Sequence, residues 1–125
     1  MGELKTHKDL DVWKKSVDFV VLVYDLTKTF PKDELYGIVQ QIRRSAVSIS
    51  SNIAEGAARK NYKEFIQFLH ISLGSLAELE TQVIISQRLN FVSEIQIERF
   101  NQEIIKIRSM LLGLIRYLKK QDTQK

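Results

Sequence analysis

Apolar residues recur at spacings of three and four from Leu10 to Leu118, and Pro31 is the sole proline in 125 residues. Residues three and four apart share one face of an α-helix, so the pattern is that of a helical chain. No run shows the sustained two-residue alternation of a half-buried strand. The expected fold class is all-α.

Four sets of stops divide the pattern. A first helix, about 9–29, begins near Asp9 or Asp11 and ends before Pro31, which disfavours helical geometry at Phe30. A second, about 33–59, takes Asp33 as its cap and buries Leu35, Val39, Ile42, Ala46, Ile49, Ile53 and Ala57. Asn61 with Glu64 reads as a capping box for a third helix, about 61–90, and Asn90 as its left-handed stop. Ser93 with Gln96 repeats the device for a fourth, about 93–120, with a polar tail over 121–125. That last helix buries Ile97, Phe100, Ile104, Ile107, Leu111, Leu114 and Leu118. Connections this short make consecutive helices antiparallel neighbours, which gives one domain over 1–125, an antiparallel up-down-up-down four-helix bundle.

Two helices carry more apolar surface than one bundle face requires. Helix one has a main line of Leu10, Trp13, Val17, Val20, Tyr24 and Thr27, and a second of Val12, Phe19, Val23, Leu26 and Phe30. Helix three has Phe65, Phe68, Leu69, Ser72, Leu76, Leu79 and Val83, and beside them Ile66, Leu73, Ala77 and Ile84. A helix apolar over most of its circumference is covered on more than one side, and another copy of the chain is the simplest cover. A wide face covered within a monomer is the alternative.

The stretch RRSAVSISSNIAEGAARK, from Arg43 to Lys60, has few bulky side chains. Opposite its apolar line lie small residues, which permit close helix approach; Ser48, Asn52, Ala54 and the mid-helix Gly74 are the expected packing positions. Glycine inside a helix costs about 1 kcal/mol relative to alanine, so close packing at Gly74 is the expected compensation. Glu80 falls between the two lines of helix three, where a carboxylate needs a cation, and Arg43 or Arg44 is the expected partner in a network that includes Glu55.

Charge is segregated along the chain, whose net charge is +4. Arg43, Arg44, Arg59, Lys60 and Lys63 face only Glu55 in their segment; an acidic segment follows, and then the fourth helix is basic again. Arg59, Lys60 and Lys63, with the recurring Arg99, Lys106 and Lys120 of helix four, are the candidate contacts for a nucleic-acid backbone. No aromatic residues interleave with these cations, so phosphate contact without base readout is expected. A merely solvated basic face is the competing reading.

Catalytic and metal chemistry finds no support in the sequence. His70 lacks the glutamate three residues earlier that a di-iron bundle needs, since Gln67 stands there, and no phosphate-loop, dinucleotide-binding, nucleophile-elbow or zinc-protease motif occurs. No cofactor is expected. The chain has no cysteine, its first residues are polar, and no apolar run reaches the roughly 20 residues of a membrane span. A cytoplasmic protein without membrane contact is expected.

The segments DLDVW (Asp9–Trp13), FPKDELYG (Phe30–Gly37), QIRRSAVSISSNIAEGAAR (Gln41–Arg59) and FLHISLGSLAELETQ (Phe68–Gln82) resemble, almost end to end, the four-helix-bundle proteins encoded by intervening sequences in bacterial 23S rRNA genes. That family is similar to the accessory proteins of diversity-generating retroelements, which associate with a reverse transcriptase and bind nucleic acid. The resemblance implies a homopentameric barrel of four-helix bundles with a basic surface and no known catalysis. Its ribosomal-protein label reflects gene location. Two functions stand as expectations: an oligomeric accessory protein that binds RNA or DNA, and an oligomeric protein–protein adaptor, for a reverse transcriptase for example.

Overall fold

Helices begin and stop where the sequence offers a polar cap or a break. In a computed structural model that describes residues 6–123, these are α1 (Asp11–Thr27), α2 (Ile38–Ala57), α3 (Tyr62–Arg88) and α4 (Glu94–Thr123), with no strand among the described residues. Asn61 Oδ1 accepts the Glu64 amide at 2.9 Å at the start of α3. Asn90, with φ of 64°, is the left-handed residue beyond its end. Ser93 and Gln96 cap α4 reciprocally: the Gln96 amide donates to Ser93 Oγ at 3.2 Å and the Ser93 amide to Gln96 Oε1 at 3.0 Å. Short polar side chains at these positions satisfy amides that a helix start leaves unpaired.

The second helix departs from expectation. Lys32–Glu34 forms a single 3₁₀ turn, and α2 starts after Gly37, where neither Asp33 nor any other side chain caps it. Gly37 has ψ of −115°, far from helical values, and this residue of low helix propensity interrupts the path between Leu35 and Ile38. Leu35, expected inside, is exposed as a result. At the other end α4 runs on through Thr123 in place of a tail from 121; residues 124 and 125 lie outside the described residues.

Cross-helix contacts establish the antiparallel order. Ser45 of α2 meets Gln82 of α3, Ser48 meets Ser75, and Gly56 lies against Phe65 and Phe68. On the opposite side Phe19 of α1 packs on Phe100 of α4, with ring centroids 5.0 Å apart, and Lys15 reaches Glu103. Each helix touches its sequence neighbours, α4 closes back onto α1, and the backbones of the diagonal pairs stay apart among the described residues. Burying Phe19, Phe100 and ten fully enclosed aliphatic side chains is the main stabilising term, at about 1.5–3 kcal/mol for each large apolar side chain.

Which apolar line faces that core differs from the sequence reading in α1. Val12, Phe19, Val23, Leu26 and Phe30 are buried, whereas of the other line only Leu10 and Thr27 at its ends are buried, Trp13, Val17 and Val20 being half-buried and Tyr24 exposed. The inward line carries the rings of Phe19 and Phe30, which fill the bundle centre and its upper end, where Phe30 packs on Phe91. In α4 the drift of a 3.6-residue helix brings Ile115 into the core and leaves Leu114 half-buried. The bundle itself partly covers Ile66 and Leu73 of the second line of α3, and leaves Ala77 and Ile84 exposed.

Close helix approach occurs at a different glycine from the one expected. A β-carbon on Gly56 would lie 2.7 Å from Phe68 Cβ and 2.9 Å from Phe65 Cδ1, whereas one on Gly74 would meet nothing within 4 Å. Gly74→Ala is therefore expected to stabilise the chain by about 1 kcal/mol, the helix-propensity difference. Chemical denaturation checks this, and a loss of stability on that substitution would mean that Gly74 is covered in solution. Ser48 does sit in the α2–α3 contact, with its hydroxyl 2.9 Å from that of Ser75, and Asn52 Nδ2 donates back to Ser48 O at 2.8 Å. Ala54 is half-buried.

Candidate nucleic-acid interface

The α2–α3 turn follows Ala57, where the Ala58 amide closes the last helical bonds, and it carries Arg59 and Lys60 into solvent. Lys63 lies in the first turn of α3. The Arg59 guanidinium stands over the Phe68 ring, 4.8 Å from its centroid, which holds the cation against the helix surface.

Helix α4 runs down toward this same end. Glu80 of α3 is level with Arg108 of α4, so at 1.5 Å per residue Lys120 comes level with about the first two turns of α3. Lys119 and Lys120, both exposed, thus lie toward the same end of the bundle as Arg59, Lys60 and Lys63, which also carries the carboxylates Glu55, Glu64 and Asp122, whereas Arg116 lies higher, in a groove with Ile105, Arg108 and Leu112. The antiparallel run of α4 against α3 thus places two basic groups, about 60 residues apart in sequence, toward one end.

Arg99 and Lys106 do not join them. Arg99 lies near the opposite end, in a groove of about 160 Å³ that it shares with Asp25. Lys106 lies midway, 3.7 Å from Glu103, which also accepts from Lys15 Nζ at 2.8 Å. The hydrogen bond from Lys15, and secondarily the charges of Lys15 and Lys106, outweigh partial burial and hold the Glu103 carboxyl below its usual value. Lys106 is therefore a partly answered charge, weaker as a phosphate contact than the sequence pattern implies.

The expected ion network is replaced by three separate contacts. Arg43 donates through Nε to Thr27 Oγ1 at 2.9 Å and lies over the Tyr24 ring, 4.5 Å from its centroid. Glu80 accepts from Arg108 Nη2 at 2.7 Å. Glu78, which the sequence pattern did not single out, turns toward α2 and lies 3.1 Å from Ser45 Oγ. Arg44 and Glu55 are exposed, with no ion pair between any of Arg43, Arg44, Glu55 and Glu80 among the described residues. The flank of α3 that bears Glu80 faces α4, so neither arginine of α2 reaches it. The i to i+4 positions Glu78 and Gln82 explain the change, since they form the α2-facing polar seam and give a signal legible only once the α3 rotation is known.

Among the described residues no group of His, Asp or Glu is placed to hold a metal ion, and no helix is long and apolar enough to cross a membrane. His70 is exposed on α3.

These features define a helical bundle with a basic end and polar seams between its helices. The family model for 23S rRNA-intervening sequence proteins matches residues 8–113, and the chain belongs to that family. Its fold is similar to the crystal structure of a protein of unknown function from the S23 ribosomal protein family of Bacteroides thetaiotaomicron VPI-5482. The two are 28% identical over 83% of this chain and 97% of that one, with a TM-score of 0.77. No curated protein matches the chain.

Proposed function

We propose that the protein is a non-catalytic, oligomeric accessory protein of the cytoplasm that binds RNA or DNA through phosphate contacts at its basic end. The observation that carries this reading is the placement of Arg59, Lys60 and Lys63, and of Lys119 and Lys120, toward one end of the bundle. Clustered cations displace the counterions condensed on nucleic-acid phosphates, a source of affinity that needs no base readout. Assembly, a pentamer by the family resemblance, would repeat the cluster in each copy. Exposed apolar side chains on three helices, Val21 of α1, Ile71 and Ile84 of α3, and Ile95 and Ile105 of α4, supply surface for such contacts.

Titration of labelled single- and double-stranded RNA and DNA over a range of salt concentrations tests the proposal. Affinity is expected to fall steeply with salt, and replacing Lys60, Lys63 and Lys120 together with Gln flattens the log–log slope by about 0.7–0.9 for each phosphate that is no longer neutralised. Lys106→Gln, at a charge already met by Glu103, has the smaller effect. Absence of binding at low salt would leave the adaptor, with a reverse transcriptase as one candidate partner, as the reading to pursue.

A further inference from the structure

At the end of the bundle away from the basic cluster, an open groove of about 550 Å³ lies between the α1 surface and the start of α2, lined by Tyr24, Leu35, Tyr36, Arg43, Arg44 and their neighbours. Three observations distinguish it from an ordinary surface depression. Its walls are mainly apolar and aromatic, yet it holds two arginines and no carboxylate. Arg43 is held in place by Thr27 and by the Tyr24 ring, which occupy its Nε–H and one face and leave its terminal amino groups without a protein partner among the described residues. Tyr36, in the turn that Gly37 creates, is 87% exposed, although a ring this large is normally at least partly covered.

We infer that this groove takes an unpaired nucleotide of a single strand, with the base stacked on Tyr36 and the adjoining phosphate held by Arg43 and Arg44. The inference rests on the nucleic-acid reading above and adds a preference for single strands to it. The occupant follows from the chemistry of the walls. One fixed arginine, Arg43, and the exposed Arg44 beside it, with no carboxylate in the groove lining, select an anion, and an exposed ring beside them selects a planar group, a combination that an unstacked nucleotide supplies and a duplex, whose bases face inward, does not. The sequence conceals the arrangement: Tyr24 lies on α1 and Tyr36 in a turn, so neither interleaves with the arginines along the chain. Arg44 and Arg59 are separated by about 22 Å along α2, so the groove and the basic end respond to substitution independently.

The experiment compares Tyr36→Ala and Tyr36→Phe with the unaltered protein. The probes are an oligouridylate, an abasic oligomer of equal length that keeps the phosphates, and a duplex. Tyr36→Ala is expected to weaken oligouridylate binding about five- to 150-fold, the range for removal of one base–aromatic stack, with the abasic and duplex affinities and the melting temperature unchanged. Tyr36→Phe keeps the ring and binds as the unaltered protein does. Unchanged oligouridylate affinity in Tyr36→Ala, while the Lys60, Lys63 and Lys120 replacement still lowers it, overturns the groove and leaves the proposed function standing. A change in oligomer mass on Tyr36→Ala overturns it too, by making the groove a contact between copies. If none of the three probes binds the unaltered protein, both readings fall together.

Discussion

Phe100→Ala is expected to destabilise the protein by about 3–5 kcal/mol, enough to unfold much of a domain of ordinary stability. Phe100 is almost fully buried, and its ring is the main partner of Phe19 across the α1–α4 seam. That seam is the lightest of the four in the bundle, and beside the two rings it holds the Lys15–Glu103 ion pair. The ring also forms the inner wall of the groove that holds Leu22 and Leu26, so its removal opens the core to water there. Phe19→Ala alone should cost a similar amount, and the double variant less than the sum, because both single changes empty one shared space. Denaturant unfolding of the four proteins measures this cycle; a Phe100→Ala cost below about 1 kcal/mol would mean that the seam is not packed as described.

Gly56→Ala is expected to cost about 1–3 kcal/mol, although alanine is the better helix former by about 1 kcal/mol. The added methyl group meets Phe68 Cβ at 2.7 Å, an atom fixed to the α3 backbone, so the helices themselves must separate. Separation would strain the neighbouring bonds of the α2–α3 seam, where Ser72 Oγ donates to Ile49 O at 2.9 Å and the Ser48 and Ser75 hydroxyls meet. Gly74→Ala serves as the internal contrast, the same chemical change with the opposite expected sign. Equal stability gains in both variants would show that α2 and α3 are not in close approach at Gly56.

The two glycines show what was legible in the sequence. A small residue within a helical pattern signals either close approach or an exposed position, and the choice depends on which neighbour lies over it. Gly74 in SLGSLAELE looks the better packing site, yet it faces away from the other helices, while Gly56 in NIAEG is the one that α3 covers. Glu80 is a parallel case. Its position between two apolar lines correctly indicates partial burial and a cationic partner, but the partner is Arg108 on α4, because partner identity depends on the rotation of α3 about its axis. The expected cation group likewise divides, since Arg99, Lys106 and Lys120 recur along one strip of α4 but lie at different levels of the bundle.

By itself the sequence determined the all-α class, the number of long helices and most of their ends, including Asn61, Asn90 and the Ser93–Gln96 pair. It determined also most of the inward lines of α2, α3 and α4. These features arise from interactions within about one or two turns of helix, such as caps, breaks and the shared face of residues three and four apart, which are encoded contiguously. Only the tertiary structure decided which of two apolar lines of α1 turns inward, and that Gly37 delays the start of α2. It alone decided that Glu78 joins the α2 seam while Glu80 joins α4, and that Lys120 lies toward the end that carries Arg59, Lys60 and Lys63. Each of these depends on the rotation and axial offset of helices far apart in the chain, which are set by how large side chains such as Phe19, Phe65 and Phe100 fit together and not by any local pattern.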